Sequence, residues 1–358
     1  MNKDVLNLVN SLNKKFGKNA VRVGTPKDEN GEPKVTLRIP TSNVSLDIDL
    51  GGGIPVGRFT QISGAYSSTK TTQTMHIIKN ALDMGMNVCF MDAEGTSSTE
   101  DGEPDLDYFE MFGITPDLFE EGRILFIRPS SLEECTEMLL QVQKSGVVQV
   151  GIIDSIAMLE PNKVLDKSME DTVQMGLKQK LLGEYFSKYQ LSNNGLVRDE
   201  KQPFTLIAIN QLREKIGAYG DPEYTPGGRA LGYTLSVDIR LRQGDLILDS
   251  NKEVVGQVVK YKIAKNKTYM RMKSGEFDIY LDHNDEGIAP FHTDNVKSII
   301  IEGVQRGFIE RGGAWYFLDK DNGLKFQGLD KLITYIKENP EWIETIKDKV
   351  MNHDMKAK

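Results

Sequence analysis

Cysteine and histidine are scarce in this sequence, and the segments that mark secreted or membrane proteins are missing. The 358 residues include two cysteines and four histidines. Cys89 and Cys135 form no CxxC pair and have no histidine-rich neighbourhood, which excludes a disulfide framework and a zinc module. No apolar stretch approaches the roughly 18 residues that span a bilayer, and the first residues lack the apolar block of a secretory signal. We therefore expect a cytoplasmic protein with no membrane partner.

Positive charge is also in short supply. Lysine and arginine total 44 against 52 acidic residues, a net charge of −8, which argues against a protein that coats polyanions by bulk attraction. Nucleic-acid binding would depend on local patches. One such patch lies between Gly256 and Gly275. This segment has no acidic residue and six cations: Lys260, Lys262, Lys265, Lys267, Arg271 and Lys273. On charge alone, the solvated face of a strand is the better explanation of this run.

What is present is the composition of a globular protein, with 39% hydrophobic and 27% charged residues. Residues 2–16 place Val5, Leu8, Val9 and Leu12 at helical spacing, and a short strand is expected at NAVRV. A polar segment rich in proline and glycine, TPKDENGEPK, reads as a linker. We expect residues 1–33 to form an N-terminal arm with its linker.

Residues 34–289 carry the pattern of an α/β domain. Near-continuous apolar runs alternate with helical segments and predict a parallel sheet covered on both faces: GRFTQIS, NVCFMD, RILFIRP, VQVGIIDS and PFTLIAINQ. Later runs such as SVDIRLRQ alternate apolar and polar residues, which predicts an antiparallel extension. Residues 290–358 predict a small C-terminal α/β domain with a hairpin at GGAWYFLDKDNGLKF.

A candidate phosphate-binding loop follows the first of these strands. It consists of Gly64, Ala65, Tyr66, Ser67, Ser68, Thr69, Lys70, Thr71 and Thr72, and it opens a helix whose apolar face includes Met75, Ile78 and Leu82. In such loops, backbone N–H groups converge on phosphate oxygens, a lysine reaches the β/γ-phosphates and a hydroxyl binds Mg²⁺. Lys70 and Thr71 would take the last two roles. Thr69 stands where the GxxxxGK[ST] pattern has its second glycine, and a left-handed backbone there would cost roughly 1 to 2 kcal/mol.

Carboxylates follow two other predicted strands. Asp154, with Ser155 after it, ends one strand and would lie next to the Mg²⁺ of a nucleotide. Asp92 and Glu94 follow another strand, at the sheet edge where open α/β folds bind ligands, and a carboxylate there could activate water. Single acids after strands are usually helix caps or solvated loop residues. Together with the Lys70 loop, they favour a phosphoanhydride hydrolase.

The sequence resembles a known family, the bacterial and phage RecA recombinases, over nearly its whole length. The similar strings include SLDIDLGGGIPVGR, DAEG, IIDSIAMLEP, QMGLKQKLL, INQLREKIG, PGGRALGYTLSVDIRLR, VKYKIAKNK and GGAWY. The resemblance implies an ATP- and Mg²⁺-dependent, DNA-stimulated ATPase. It also implies a helical homo-oligomer on single-stranded DNA that exchanges this strand with homologous double-stranded DNA.

The resemblance also implies roles for nucleotide-site residues. Glu94 matches the glutamate that activates the hydrolytic water, and Gln211 the residue that senses the γ-phosphate. Lys265 and Lys267 match lysines that reach the neighbouring copy's ATP, a role that outweighs the solvated-face interpretation. Tyr108 falls near the adenine-stacking tyrosine. Tyr233 matches an aromatic residue at the subunit interface, and the N-terminal arm matches the one that docks on the adjacent copy.

Two DNA-binding loops are implied at residues 160–176 and 212–228. The positions that match DNA contacts are Met175, Lys180, Arg213, Ile216, Gly227, Gly228 and Arg229. A helical polymer would repeat these residues around its axis, which reconciles DNA binding with a net acidic chain.

The chain departs from the family pattern in several places. Thr69 replaces the loop glycine, and residues 95–107 form a long acidic insertion that puts the Tyr108 contact in doubt. A second insertion, LSNNGLVRDEKQ, is expected to form an exposed excursion, the second DNA loop is one residue short, and the C-terminus lacks an acidic tail. These departures favour a phage-like or mobile-element recombinase.

Three alternatives to the recombinase remain. One is an ATP-gated filament or regulator that has lost hydrolysis through Thr69. Another is a small-molecule P-loop kinase, which is disfavoured because no sequence pattern indicates a pocket for a second substrate. The third is a RecA-like helicase with a zinc module, which the missing cysteine pairs argue against.

Overall fold

A computed structural model describes residues 2–24, 36–166, 176–214, 223–269, 273–285, 287–319 and 323–356. The helices are α1 Lys3–Phe16, α2 Val44–Leu50, α3 Lys70–Asp83, α4 Leu106–Glu110, α5 Pro116–Glu120, α6 Leu132–Ser145, α7 Asn162–Leu165, α8 Leu177–Arg198, α9 Gly228–Thr234, α10 Asn295–Gln305, α11 Leu329–Glu338 and α12 Glu341–Lys356. The strands are β1 Arg38–Ile39, β2 Ile54–Pro55, β3 Phe59–Gly64, β4 Val88–Asp92, β5 Ile124–Ile127, β6 Val150–Asp154, β7 Thr205–Gln211, β8 Arg213–Glu214, β9 Glu223–Tyr224, β10 Val237–Leu248, β11 Val254–Asn266, β12 Ser274–Tyr280, β13 Glu310–Gly312, β14 Trp315–Asp319 and β15 Leu324–Gln327. None of the described helices is long and apolar enough to cross a membrane.

The chain divides into two compact units. The first unit comprises Met1–Arg38, Pro55–Ser63 and Ala81–Ser236, and the second comprises Ile39–Ile54, Gly64–Asn80 and Val237–Lys358. The phosphate-loop segment and the KNK lysines belong to the second unit. The carboxylates after β4 and β6 and both expected DNA loops belong to the first.

The first unit is built on strands in the order β3-β7-β6-β4-β5. The pairs β4·β5, β4·β6 and β6·β7 are parallel, with Val88 opposite Ile124 and Val150, and Val150 opposite Thr205. Every residue of β4 and β6 is buried, as expected for parallel strands covered on both faces. The predicted parallel α/β sheet is confirmed.

Helices α6 and α8 pack against this sheet and close a core that contains Phe59, Phe186 and Tyr189. Ser131 caps α6 by accepting the Glu134 N–H, and Gly146 ends it in a left-handed conformation with φ 69°. Cys89 and Cys135 are fully buried in the same core. Burial raises the pKa of Cys89 to about 12 and raises that of Cys135 as well. Both thiols therefore stay protonated and serve packing.

The expectation of an exposed excursion at LSNNGLVRDEKQ is wrong. Its first eight residues continue α8 to Arg198, and Asn193 and Leu196 are buried. The Asn193 side chain accepts the Phe204 N–H at 3.0 Å, donates to the Phe204 carbonyl at 2.9 Å and accepts from Gln143 Nε2 at 2.8 Å. The inserted residues thus hold the start of β7, because one buried amide satisfies several polar groups at once.

The expected strand at NAVRV is also wrong, since residues 19–23 have no strand conformation. Helix α1 forms as predicted, with Asn2 as its N-cap. The residues after it bond to the end of α8 instead of to another strand. Asn19 donates to the Arg198 carbonyl and to Glu200 Oε1, Lys18 pairs with Glu200 at 3.1 Å, and Arg22 donates to the Val197 carbonyl.

The second unit contains the antiparallel strands β10, β11 and β12 in sequence order. Val237, Ile239 and Leu241 are buried, and Val259 and Ile263 on β11 follow the same alternation, as predicted. The C-terminal part is a small α/β assembly in which α10, α11 and α12 share a core with the sheet β13-β14-β15. The predicted hairpin at residues 312–326 is formed by β14 and β15.

Candidate functional site

The predicted phosphate loop runs from the end of β3 to the first turn of α3. Gly64 is required at its start, because a Cβ there would lie 2.2 Å from Ser68 Oγ and 2.6 Å from the Leu241 carbonyl oxygen. The Lys70 ammonium folds over the loop and donates to the Ala65 carbonyl at 2.7 Å and to Ser68 Oγ at 3.3 Å. Thr71 lies half-buried in the first turn of the helix. The residues are therefore arranged around a small cradle at a helix N-terminus.

Two residues of the loop adopt left-handed backbone conformations without being glycine. Ser67 has φ 56° and Thr69 has φ 59°. Thr69 also accepts the Gln73 N–H through its carbonyl, so it is the residue that starts α3. A β-branched residue in this region is strained. Ser67 and Thr69 are two positions apart, and left-handed residues at alternate positions are a feature of anion-binding nests.

Side chains of the second unit hold this loop from outside. Gln257 on β11 donates to the Ser67 carbonyl at 3.1 Å. Gln73 on α3 donates to the Thr41 carbonyl, and the Thr41 N–H is bound by the buried Asp47 carboxylate at 2.8 Å. Burial raises the pKa of Asp47 to about 7. The polar groups around the loop are thus fixed by neighbours.

An ATP phosphate with its Mg²⁺ fits the residues of this loop. The exposed Ala65 and Ser67 backbone, the Lys70 ammonium and the Thr71 hydroxyl are the kinds of donor and metal-binding oxygen that such a group needs. Among the described residues no cluster of histidine, cysteine and carboxylate side chains could hold a metal alone.

In the first unit, the carboxylates at the ends of β4 and β6 make different contacts. Asp92 is buried and binds the Gly95 N–H at 2.8 Å and the Ser97 N–H at 3.2 Å, so it shapes the loop. Glu94 is half-buried, and its Oε1 accepts the Ser155 hydroxyl at 2.5 Å. The Asp154 carbonyl accepts the N–H groups of Ala93 and Glu94 at 2.7 and 3.0 Å. The structure therefore brings Glu94, Asp154 and Ser155 together, as predicted for the strand ends.

The acidic insertion between Glu94 and Tyr108 is a compact turn. Ser98 and Pro104 form a bridge, the Thr99 N–H bonds to the Glu103 carbonyl, and Asp105 caps helix α4. The Tyr108 ring lies 5.3 Å from the Phe112 ring, edge to face. Tyr108 is half-buried on this small helix, and its contact with adenine stays a prediction.

The first expected DNA loop is anchored at its start. Lys178, in the first turn of α8, donates to the Ala157 carbonyl at 2.9 Å and to Glu160 Oε1 at 3.0 Å. Lys180, two residues on, is exposed. Met175 lies outside the described residues. Sequence reasoning missed Lys178, although a lysine two residues before the expected DNA contact is a visible signal.

The second expected DNA loop is tied to the sheet by Asn210. Its buried amide donates to Gln61 Oε1 on β3 at 2.9 Å and to the Pro226 carbonyl at 2.8 Å, and its Oδ1 accepts the Gln211 N–H. The loop thus leaves from Gln211 and returns at Pro226 beside one fixed side chain. Sequence reasoning also missed this tether, because its two ends are 16 residues apart.

The return of that loop requires glycine at two successive positions. Gly227 has φ 125° and a Cβ there would lie 2.6 Å from Leu231 Cδ2, while Gly228 has φ 75° and would meet Gln179 at 2.9 Å. Arg213 on β8 and Arg229 in α9 are exposed, as is Tyr233, which is 75% exposed. Ile216 lies outside the described residues.

The KNK lysines end strand β11 of the second unit. The buried Asn266 accepts the N–H groups of Thr268 and Tyr269 at 2.9 and 3.0 Å, which closes a turn directly after the strand. Lys265 is half-buried and Lys267 exposed on either side of it. The asparagine between the lysines is therefore a structural residue that fixes where they emerge.

The basic run also shows an arrangement that the sequence alone could not give. In the β10–β11 register, Arg240 lies opposite Lys262 and Arg242 lies opposite Lys260. Like charges placed directly opposite each other on neighbouring strands destabilise a sheet. These four residues define the positive face, and part of its charge is offset, because Asp238 lies 3.6 Å from the Arg240 guanidinium and Glu276 on β12 lies opposite Lys260.

Comparison with known proteins gives the family. The model of the RecA N-terminal domain matches residues 3–289, and that of the RecA C-terminal domain matches residues 297–354. The chain belongs to the RecA family. It is 34% identical to Protein RecA of Streptomyces rimosus over 342 residues, which cover 95% of this chain and 82% of that protein. It is 34% identical to Protein RecA of Salinispora arenicola over 346 residues (95% and 88%), and 35% identical to that of Corynebacterium diphtheriae over 344 residues (95% and 82%).

Family membership confirms the resemblance and the RecA-type α/β fold. The predicted site residues lie in four separate groups. The loop at Gly64–Thr72 and the KNK turn belong to the second unit. The group at Glu94, Asp154 and Ser155 and the ends of the two DNA loops belong to the first. The contacts given above hold Lys70 and Glu94 within their own groups.

Proposed function

We propose that this RecA-family chain is an ATP-dependent recombinase that polymerises on single-stranded DNA and exchanges that strand with a homologous duplex. The observation that carries the proposal is the Gly64–Thr72 loop at the N-terminus of α3, in which Lys70 folds back onto the Ala65 carbonyl and Ser67 and Thr69 are left-handed. The printed name shared by its relatives, Protein RecA, supports DNA recombination as the process. We further propose a cytoplasmic protein divided into an arm at 1–33, an ATPase core at 34–289 and a small domain at 290–358.

In this proposal, ATP binds through the loop from Gly64 to Thr72 and Tyr108 stacks on its adenine. Lys70 would contact the β/γ-phosphates, and Thr71 and Asp154 would hold Mg²⁺ beside them. When bound, Mg²⁺ offsets the charge on the transferring phosphoryl group. Glu94 accepts a proton from the attacking water, and Gln211 reports the γ-phosphate to the loop that begins after it.

Single-stranded DNA is held by the two loops and the residues at their ends. Lys180, Arg213 and Arg229 contact the DNA backbone, while Met175, Ile216, Gly227 and Gly228 contact or separate the bases. Because the cations act on phosphates, binding is indifferent to sequence and weakens with salt. The positive face at Arg240, Arg242, Lys260 and Lys262 supports contact with a polyanion.

Assembly is helical, and the second copy completes the nucleotide site. Lys265 and Lys267 of one copy reach the ATP of its neighbour and offset negative charge there, as an arginine finger does. Tyr233, which is exposed in the single chain, packs at this interface. Helix α1 docks on the adjacent copy through exposed apolar side chains that include Val5, Leu8 and Phe16.

ATPase measurements with and without single-stranded DNA test the proposal. The wild type should release phosphate faster when DNA is present. Lys70→Ala and Glu94→Gln should both abolish turnover, and Glu94→Gln should still assemble on DNA with ATP. Turnover that ignores DNA, or equal activity of Glu94→Gln and the wild type, would refute these assignments.

One observation favours a second candidate, an ATP-gated filament with little hydrolysis. Thr69 holds a strained left-handed conformation at the point where the loop enters α3. If this threonine crowds the phosphates, ATP could support assembly without turnover. Filaments that form with ATP on DNA and release no phosphate would identify that candidate.

A further inference from the structure

The residue after Asp154 is in direct contact with the carboxylate proposed to activate water. Ser155 is fully buried, and its hydroxyl donates to Glu94 Oε1 at 2.5 Å. The backbone of Glu94 is tied to the same strand end, because the Asp154 carbonyl accepts its N–H at 3.0 Å. Glu94 is therefore held at two points by one dipeptide.

The two carboxylate oxygens of Glu94 are thereby distinguished. Oε1 is engaged by Ser155. Within the described part of the chain, no hydrogen bond to Oε2 is found, and the side chain is half-buried. A carboxylate that acts as a general base needs one oxygen directed at the water and a fixed orientation for the whole group.

We propose that Ser155 is a positioning residue for ATP hydrolysis: its buried hydroxyl fixes Glu94 Oε1, so that Oε2 is the oxygen that takes the proton of the attacking water. This inference rests on the proposed function. The water oxygen forms a bond to the γ-phosphorus while the bond from that phosphorus to the β,γ-bridging oxygen breaks, and its electron pair leaves with ADP. The proton lost by the water ends on Glu94 Oε2.

Ser155→Ala removes one oxygen from a buried site and introduces no new atom. Losing orientation without losing the carboxylate should reduce kcat by about tenfold to a hundredfold. The KM for ATP and the ATP-dependent affinity for single-stranded DNA should stay within about twofold of the wild type, because substrate binding and assembly precede the proton transfer. Glu94→Gln gives the lower limit of activity for comparison.

The loop offers a matched control. Ser97 is also fully buried, follows the same strand β4 and, within the described residues, has a hydroxyl with no hydrogen-bond partner. Ser97→Ala makes the same chemical change three residues from Glu94 without touching its carboxylate. Its kcat and KM should match those of the wild type.

The measurements are kcat and KM for ATP with saturating single-stranded DNA, DNA affinity with ATP, and thermal unfolding, for the wild type and these variants. A selective fall of kcat in Ser155→Ala supports the positioning role. Unchanged kcat in Ser155→Ala overturns it. A joint loss of kcat, ATP affinity and thermal stability also overturns it, since that pattern belongs to a purely structural serine. A wild type without DNA-stimulated ATPase would instead refute the proposed function itself.

Discussion

At the scale of single residues, Thr69 is the position where this chain departs from the phosphate-loop pattern most directly. The substitution is visible in the sequence, but its effect depends on the backbone, and the structure gives Thr69 a φ of 59°. A residue with a branched Cβ is strained in this conformation, whereas glycine adopts it without strain. The threonine is held there because it starts α3 and its neighbours fix the loop.

Thr69→Gly should therefore stabilise the protein. Relief of a left-handed threonine is worth about 1 to 2 kcal/mol, and the greater freedom of glycine in the unfolded chain offsets about 0.5 to 1 kcal/mol of that. The expected net rise in the free energy of unfolding is roughly 1 kcal/mol, measured by urea denaturation. The KM for ATP should fall as well, because the Cβ no longer crowds the anion.

Ser67→Gly is the matched comparison for this change. Ser67 is also left-handed, with φ 56°, but it precedes the lysine by three residues and does not start the helix. It should stabilise the fold in the same direction and by a smaller amount, since serine is not β-branched. A Thr69→Gly protein that is less stable than the wild type would contradict the strain argument.

Several site residues could not be found at this scale from the sequence. Glu94, Lys70 and Asp154 were accessible because each stands in a local pattern beside a strand or a helix. Ser155 and Asn210 act through contacts that depend on packing: Ser155 meets a residue 61 positions earlier, and Asn210 meets one 149 positions earlier. No local spacing encodes such pairs.

At the scale of elements, the antiparallel strands β10 and β11 place cations opposite one another. Their buried faces were predictable from alternation, with Val259 and Ile263 inside and Lys260 and Lys262 outside. The register that sets cations against cations was not predictable, because it depends on bulges between Asp238 and Ile239 and between Gln243 and Leu246.

Replacing both Lys260 and Lys262 by glutamine should separate stability from binding. The free energy of unfolding should change by no more than a few tenths of a kcal/mol, because two like-charge cross-strand pairs are removed and the opposite-charge pair of Lys260 with Glu276 is lost as well. The affinity for DNA should fall. The slope of log K against log salt should become shallower by about 0.7 to 0.9 for each phosphate that the variant no longer neutralises.

Lys252→Gln supplies the control for that pair of changes. Lys252 is exposed in the turn between β10 and β11, away from the positive face along both strands. Lys252→Gln removes a charge from the same hairpin and should leave the salt dependence of DNA binding unaltered. Salt slopes that do not differ between the double variant and the wild type would show that this face does not bind DNA.

The elements also show where sequence patterns fail. Helix α8 runs to Arg198, although an insertion was expected to loop out before β7. The polar residues of the insertion predicted an exposed loop. Asn193 is polar but buried, because its amide makes hydrogen bonds to the Phe204 backbone. Residues 19–22 use their polar groups in a similar way, on the end of α8 rather than in a strand.

At the scale of the whole molecule, the proposed activity depends on a nucleotide shared between copies of the chain. An acidic protein can bind DNA if assembly lines up the loops of many subunits, and ATP between subunits links assembly to hydrolysis. In a head-to-tail polymer each contact joins two different surfaces. One copy supplies the loop at Lys70, and its neighbour supplies Lys265 and Lys267.

The most direct test mixes two inactive proteins, Lys70→Ala and the double variant Lys265→Ala/Lys267→Ala, with single-stranded DNA and ATP. The first keeps the KNK lysines and the second keeps the phosphate loop. In an equal mixture, roughly one contact in four joins an intact loop to intact lysines, because the contact is head-to-tail. A shared nucleotide site predicts ATP hydrolysis well above the sum of the separate proteins, approaching that fraction of the wild-type rate. A mixture that is no more active than its components would contradict a nucleotide site completed by the neighbouring copy.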